Sequence, residues 1–292
     1  MSADATRLDD GYFSAASWKT RVKEWLSREN ETANDNPFLE GNVQIVRQIM
    51  EDSDSGLRVV VNISADALLS FLRDGRYRNL YEEPVIGGTR KGPSPERIKV
   101  DGYLGLGANA KDYYFGAVAL GGTGVRFYGE YCMVLNPSAV EPDTQLFDRD
   151  SYDLLVAPLS DRRDLNQLIN RLKGTWKGDV VDMLTLKLLP ELRGSNRLIT
   201  TGTVSELALH DQEFVEVHHH KTITPASIEE VRQSPDEVAM EARVLARNNA
   251  GFAFTAVELR WWEQREQVVR ALEERGIRYR IVTLHGRGYQ WR

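Results

Sequence analysis

One cysteine in 292 residues, Cys132, excludes an internal disulfide framework and a thiolate zinc cage. Its flanks, Tyr131, Met133, Val134 and Leu135, predict an inert thiol on a buried strand. No apolar run approaches the ~20 residues a membrane-spanning helix requires, so no membrane contact is expected. The opening MSADATRLDD is polar and acidic, unlike a cleaved secretory signal. No Walker phosphate loop and no G-x-S-x-G elbow occurs. GLGANA (105–110) lacks the strand before it and the helix after it that a dinucleotide fingerprint needs. A basic surplus is also missing: the net charge of −6 argues against nucleic acid as a partner. The charge is uneven, because residues 243–292 hold ten Arg, no Lys and five Glu. What is present is ordinary for a globular chain, 41% hydrophobic and 27% charged residues, with length enough for one large domain or two small ones.

Residues 1–13 read as loosely tethered. Trp18, Val22, Trp25 and Leu26 recur at helical spacing and predict a helix over about 14–28, followed by a polar loop (28–37) and a short helix marked by Val43, Ile45, Val46 and Ile49. LRVVVNI (57–63) predicts a strand. Ser64 then caps a helix that Gly75 closes. Residues 82–112, rich in Gly, Pro and charge, read as a long connection. Phe115–Leu120 and Phe127–Leu135 read as strands joined by a GGTG turn (121–124). Helix is expected over 163–193, strand over Glu213–Val217, and a helix from Thr224-Pro225. A long helix over about 257–275, stopped by Gly276, precedes a final strand over Arg278–Leu284. This order predicts an α+β fold with mostly antiparallel pairing.

Two strands carry residues that invite chemistry. In LRVVVNI, alternation puts Arg58, Val60 and Asn62 on one face. An arginine there requires an anion, either a structural carboxylate or a bound phosphate. In FVEVHHHK (214–221), Phe214, Glu216, His218 and His220 share a face. Glu216 is then either a perturbed carboxylate or part of the solvated face of an edge strand. His218-x-His220 also has the spacing of two metal ligands from one strand. His210, Glu206 and Glu213 lie nearby without diagnostic spacing, and no metal is expected. The Arg-rich C-terminal stretch with Trp261, Trp262, Tyr279, Tyr289 and Trp291 reads as an interface or a solvated face.

Five phrases occur in a telling order: GRYRNLYE (75–82), YYFGAVAL (113–120), VRFYGEYCMVLNPSAV (125–140), TQLFDRDS (144–151) and VEVHHHK (215–221). Together, over roughly residues 56–235, they resemble a bacterial domain family with the layout of mono-ADP-ribosyltransferases. More loosely, they are similar to the effectors that ADP-ribosylate ubiquitin on threonine. The chain departs from the pattern at Ile86, where the family has serine, and at His218, where glutamine is usual.

The resemblance implies an ADP-ribosyltransferase-like split antiparallel sheet core over 55–235. It would have an N-terminal helical extension (1–54) and an Arg-rich helix-strand segment (236–292) packed on the core for acceptor recognition. It implies NAD as substrate, with Arg58 on the phosphates or adenosine-side ribose and Glu216 on the nicotinamide ribose. Phe127, Tyr131 or Tyr114 would stack on nicotinamide, and Asn62, Tyr81 and Arg126 would complete the binding set. The partner would be a protein acceptor, ubiquitin among the options, modified by a monomeric enzyme delivered into a host cell without a cleaved signal, or otherwise cytoplasmic. Arginine-directed members carry glutamates at i and i+2. Here Phe214 stands two residues before Glu216 and Glu213 should point away, so a hydroxyl acceptor is favoured, with His218 as its base. The rival readings are a non-catalytic protein-binding module of the same fold and a His-based metal enzyme.

Overall fold

Three consecutive valines make LRVVVNI the middle of the sheet. In the computed structural model, which describes residues 17–31, 36–52, 56–82, 92–156, 162–208 and 214–282, β1 (Arg58–Ile63) is flanked by β2 (Tyr114–Ala119) and β3 (Tyr131–Leu135), both antiparallel to it. The other strands are β4 (Gln145–Phe147), β5 (Lys173–Thr175), β6 (Glu216–His219), β7 (Ile228–Gln233) and β8 (Arg278–Ile281). Among the described residues the ladder runs β5-β4-β6-β2-β1-β3-β7-β8 in one continuous eight-stranded sheet rather than the expected split one, and only β7 and β8 pair in parallel. The fold is α+β.

The helices are α1 (Trp18–Glu31), α2 (Leu39–Glu51), α3 (Ala65–Asp74), α4 (Pro95–Tyr103), α5 (Arg162–Leu172), α6 (Trp176–Gly194), α7 (Thr201–Ala208), α8 (Pro235–Asn249) and α9 (Ala256–Glu274). No helix among the described residues is long and apolar enough to cross a membrane. Val59, Val61, Val118, Met133 and Val217 share one sheet face and join Trp18, Val46, Leu68, Met183 and Leu272 of α1, α2, α3, α6 and α9 in the main core. The opposite face buries Val60, Ala117, Ala119, Cys132, Val134 and Phe214. Beside it, α4 and α5 pack on Phe147. Cys132 is fully buried and its thiol is pushed up to about 12 by that burial, so it is inert at neutral pH.

Local chemistry fixes the boundaries. Ser64 accepts the Ala67 amide at the start of α3, and Gly75 (φ 75°) ends it in the left-handed region. Within the expected connection over 82–112, the described stretch 92–112 is instead largely helical. Ser94 caps α4, Pro95 opens it, and a 3-10 turn (Gly107–Asp112) follows. GGTG is not a hairpin turn. Its flanking strands β2 and β3 lie on opposite sides of β1, so residues 120–130 cross over the end of β1. At Gly124 (φ 66°) a β-carbon would sit 2.0 Å from Asn62 Oδ1, which fixes glycine there. The expected helix over 163–193 breaks at β5, which pairs with β4. The helix expected from Thr224-Pro225 stops after the 3-10 turn Pro225–Ser227 and becomes β7. Leu135 pairs with Ile228 but Val134 with Glu230, so Glu229 is an extra residue in β7. That bulge breaks the period-two pattern that would have announced the strand.

β6 is not an edge strand. It lies between β4 and β2, with Glu216 opposite both Phe147 and Ala117. The C-terminal segment is tied to the sheet by the pairing of β7 with β8 and by bonds from Gln264 to Asp66 and from Arg275 to the Leu72 carbonyl. The reading of residues 1–13 falls outside the described residues, as do Ile86, His210, Glu213, Tyr289 and Trp291.

Candidate functional site

Central strands bury whatever they carry, and β6 carries an acid. Glu216 is 4% exposed. Its carboxylate collects four polar contacts. The Ser151 amide donates to Oε2 at 2.6 Å and the Ser151 hydroxyl to Oε1 at 3.1 Å. His218 Nε2 lies 3.2 Å from Oε1 and Arg97 Nη1 3.7 Å away. Burial by itself would raise the carboxyl. The His218 hydrogen bond and charge, the Arg97 guanidinium and the Ser151 amide outweigh it, and Glu216 is held below the ordinary glutamate value.

Each partner is placed by local sequence. Asp150 caps the 3-10 turn Ser151–Leu155 by accepting the Tyr152 amide, which turns the Ser151 N–H toward β6. Arg97 projects from the first turn of α4 and is bound by Asp101 one turn on, Nε to Oδ1 at 2.8 Å. Its guanidinium carbon lies 3.8 Å from the centre of the Phe115 ring. His218 is 1% exposed and wedged between Phe147, stacked at 6.3 Å, and Phe115, edge-on at 5.2 Å.

Above Glu216 lies a cleft of about 190 Å³. Its walls are Val60 and Asn62 of β1, Tyr77, Arg78, Asn79 and Leu80 after α3, Tyr114 to Ala117 of β2, and Val125, Tyr128, Tyr152, Phe214 and Arg97. The floor is charged and six of the wall residues are aromatic. That volume is below the ~300–1,000 Å³ of a site enclosing a drug-sized molecule. The closed part therefore suits one ring and its sugar, with the remainder of a larger ligand over the rim. Arg78 stands there, paired with Asp74 at 3.1 Å while its Nε has no hydrogen-bond partner.

Compared with known family models and with curated proteins, the chain matches none. Its site is therefore read from geometry.

The structure brings together part of the residue set expected from the sequence. Glu216, His218 and Asn62 meet at the cleft. Asn62 Nδ2 donates to the carbonyls of Thr123 and Gly129, and its buried Oδ1 has no partner. Tyr114 borders the cleft, with its ring against Tyr77 at 5.8 Å. Tyr81 stands behind the wall and donates its hydroxyl to Asp101, which braces Arg97.

Five expectations are corrected. Arg58 shares the sheet face of Glu216 but lies two strands and two residues away, roughly 12 Å by strand spacing. Its Nε is bound to Glu229 at 2.8 Å and its Nη1 to the Leu57 carbonyl at 3.1 Å. The structural carboxylate is the partner of Arg58, and the cation at the cleft is Arg97. Tyr131 lies on the opposite face, in the main core. Arg126 pairs with Asp236 at 3.0 Å and does not line the cleft. Phe127 is 61% exposed, and its neighbour Tyr128 supplies the wall instead. His218 is too enclosed to serve an acceptor directly, so it positions Glu216. Among the described residues, no group of three or more His, Cys, Asp or Glu is arranged around a metal position.

Sequence reading missed Arg97, Ser151, Tyr128, Tyr152 and Asp150. The signal for Ser151 was the DS ending of TQLFDRDS. Arg97 was passed over because it sits on a helix read as a connection. Arg58→Ala is expected to lower stability by about 1–3 kcal/mol through the lost Glu229 and Leu57 bonds, with Glu229 left only the longer pair with Arg278 at 3.7 Å. Urea unfolding measures the loss, and an unchanged midpoint would mean that the Glu229 pair contributes nothing to the fold.

Proposed function

We propose that this protein transfers ADP-ribose from NAD to a hydroxyl-bearing side chain of a protein. The observation that carries the reading is Glu216, an ionised carboxylate fixed by Ser151, His218 and Arg97 at the floor of an aromatic cleft. In this reaction the bond from C1′ to nicotinamide lengthens ahead of bonding to the acceptor, and the sugar becomes oxocarbenium-like. A carboxylate held in place beforehand stabilises that positive charge without reorganisation. Nicotinamide leaves as a neutral molecule, so no strong acid is needed.

The residues at hand fit the substrate. Tyr128, Tyr152, Phe115 and Phe214 offer rings for nicotinamide. Arg78 at the rim is a donor for the diphosphate. The ADP-ribosyltransferase-like core belongs to this proposal, supported by the order of the five phrases and by the position of Glu216 on a late, central strand. Delivery as a bacterial effector and ubiquitin as acceptor rest on the resemblance alone.

Incubation of the full chain with isotope-labelled NAD and a cell lysate, with mass spectrometry of labelled proteins and assay of free nicotinamide, tests the reaction class and the acceptor together. Expected are nicotinamide release and label on Ser or Thr. NAD binding without nicotinamide release would favour the binding-module reading. Activity abolished by chelation would favour a metal enzyme.

A further inference from the structure

Transfer to a hydroxyl releases a proton, and the residue expected from sequence to take it, His218, is walled in by Phe115, Phe147 and Glu216. Among the other groups about the cleft, one carboxylate is placed for the task. Asp150 is half-buried. Its Oδ1 accepts the Tyr152 amide at 2.9 Å, and its Oδ2 accepts the Tyr128 hydroxyl at 3.4 Å. Both of those residues wall the cleft. The next residue in the chain, Ser151, holds Glu216 by amide and hydroxyl. One short turn thus fixes two carboxylates relative to each other, Glu216 on the cleft floor and Asp150 hydrogen-bonded to the wall residues Tyr128 and Tyr152. Carboxylates paired in this way divide the work of stabilising an oxocarbenium ion and activating a nucleophile.

We propose that Asp150 is the general base of the transfer, which rests on the ADP-ribosyl reading above and assigns the acceptor class as hydroxyl, with water as the default acceptor. The hydroxyl oxygen forms the new bond to C1′ and the C1′–N bond breaks with its electron pair leaving on nicotinamide. The hydroxyl proton passes to Asp150. The groups around Asp150 set its readiness. Burial and then the Glu216 charge push its carboxyl up to about 6, Asp153 acts in the same sense, and the Tyr152 amide and Tyr128 hydroxyl oppose them. Arg97 is the nearby cation, acting on both tyrosines. A base of that strength is ionised at neutral pH yet still accepts a proton.

The test uses the full chain, NAD, and water as acceptor, with nicotinamide release followed from about pH 5 to about pH 8. Asparagine caps helices as well as aspartate, so Asp150→Asn should melt within a few degrees of the parent. The expected result is a parental kcat that rises with pH through about 6. In Asp150→Asn, kcat should fall on the order of 10²-fold, lose that rise, and leave KM for NAD within about twofold. A variant that keeps the parental rate, or falls in rate but keeps the rise, overturns Asp150 as the base. If Glu216→Gln is inactive in the same series, the reading of the reaction stands without it. A parent that releases no nicotinamide at any pH overturns both.

Discussion

On the proposed ADP-ribosyl transfer, Glu216→Gln should reduce nicotinamide release by about 10²–10³-fold, the cost of removing one preorganised electrostatic contact to a charged transition state. The side chains are nearly the same size, so the cleft keeps its shape. What changes is the charge on the cleft floor and one hydrogen bond. The two contacts from Ser151 and the one from His218 require acceptors, and glutamine offers one oxygen where glutamate has two. One donor is therefore left facing the amide NH2, with a stability loss of about 1–3 kcal/mol. The effects separate by measurement. The kinetic loss should fall on kcat, with KM for NAD little changed, because the contact strengthens as the sugar becomes cationic. Loss confined to KM would mean that Glu216 only binds NAD.

The same carboxylate has a pH signature in stability. Its folded pKa lies below the ordinary 4.5. The unfolded chain therefore takes up the proton first as pH falls. The stabilisation is fully present above about 4.5 and is lost as pH drops through the lower folded value. Asp150 acts in the opposite sense. Its folded pKa of about 6 against 3.8 means that the folded state holds its proton longer, so stability declines as pH rises from about 4 to about 6 and stays lower above that. Glu216→Gln should flatten the acid limb of a denaturation series, and Asp150→Asn should flatten the fall toward pH 6.

What the sequence made legible follows from the range of the forces involved. LRVVVNI, the Ser64 cap and the Gly75 stop are local signals, and each element stands where it was read. The alternation placing Glu216 with His218, and Arg58 with Asn62, is also local and agrees with the sheet. The partner of Arg58 was not local. Whether a strand arginine meets a phosphate or Glu229 depends on a bulge 171 residues away. Arg97 was hidden because Gly, Pro and charge made 82–112 look like a connection, although Ser94-Pro95-Glu96 carries the start signals of a helix. Tyr128 and Phe127 were exchanged because a 3-10 turn at Arg126–Tyr128 replaces the strand that alternation assumed.

Arg97→Ala should be the most damaging single change to the fold around the site, at about 3–5 kcal/mol of stability. The guanidinium is buried with Asp101 on one side and Glu216 on the other, and also donates to the Ser151 hydroxyl at 3.3 Å. Its removal leaves Asp101 without its guanidinium and Glu216 with His218 as its remaining ion-pair partner, and vacates the space over the Phe115 ring. Urea unfolding with an unchanged m-value measures the loss, and a change under about 1 kcal/mol would mean that water replaces the cation. A second variant separates charge from packing. Arg97→Met together with Asp101→Leu removes the pair and fills the volume with apolar side chains, which in buried ion pairs is often close to neutral. That double variant should recover much of the stability lost by Arg97→Ala. It should not recover activity, because Glu216 then keeps Ser151 and His218 but lacks the cation that helps hold it ionised. A double variant both stable and active would assign Arg97 to the fold alone and leave Ser151 and His218 as the sufficient cradle of the carboxylate.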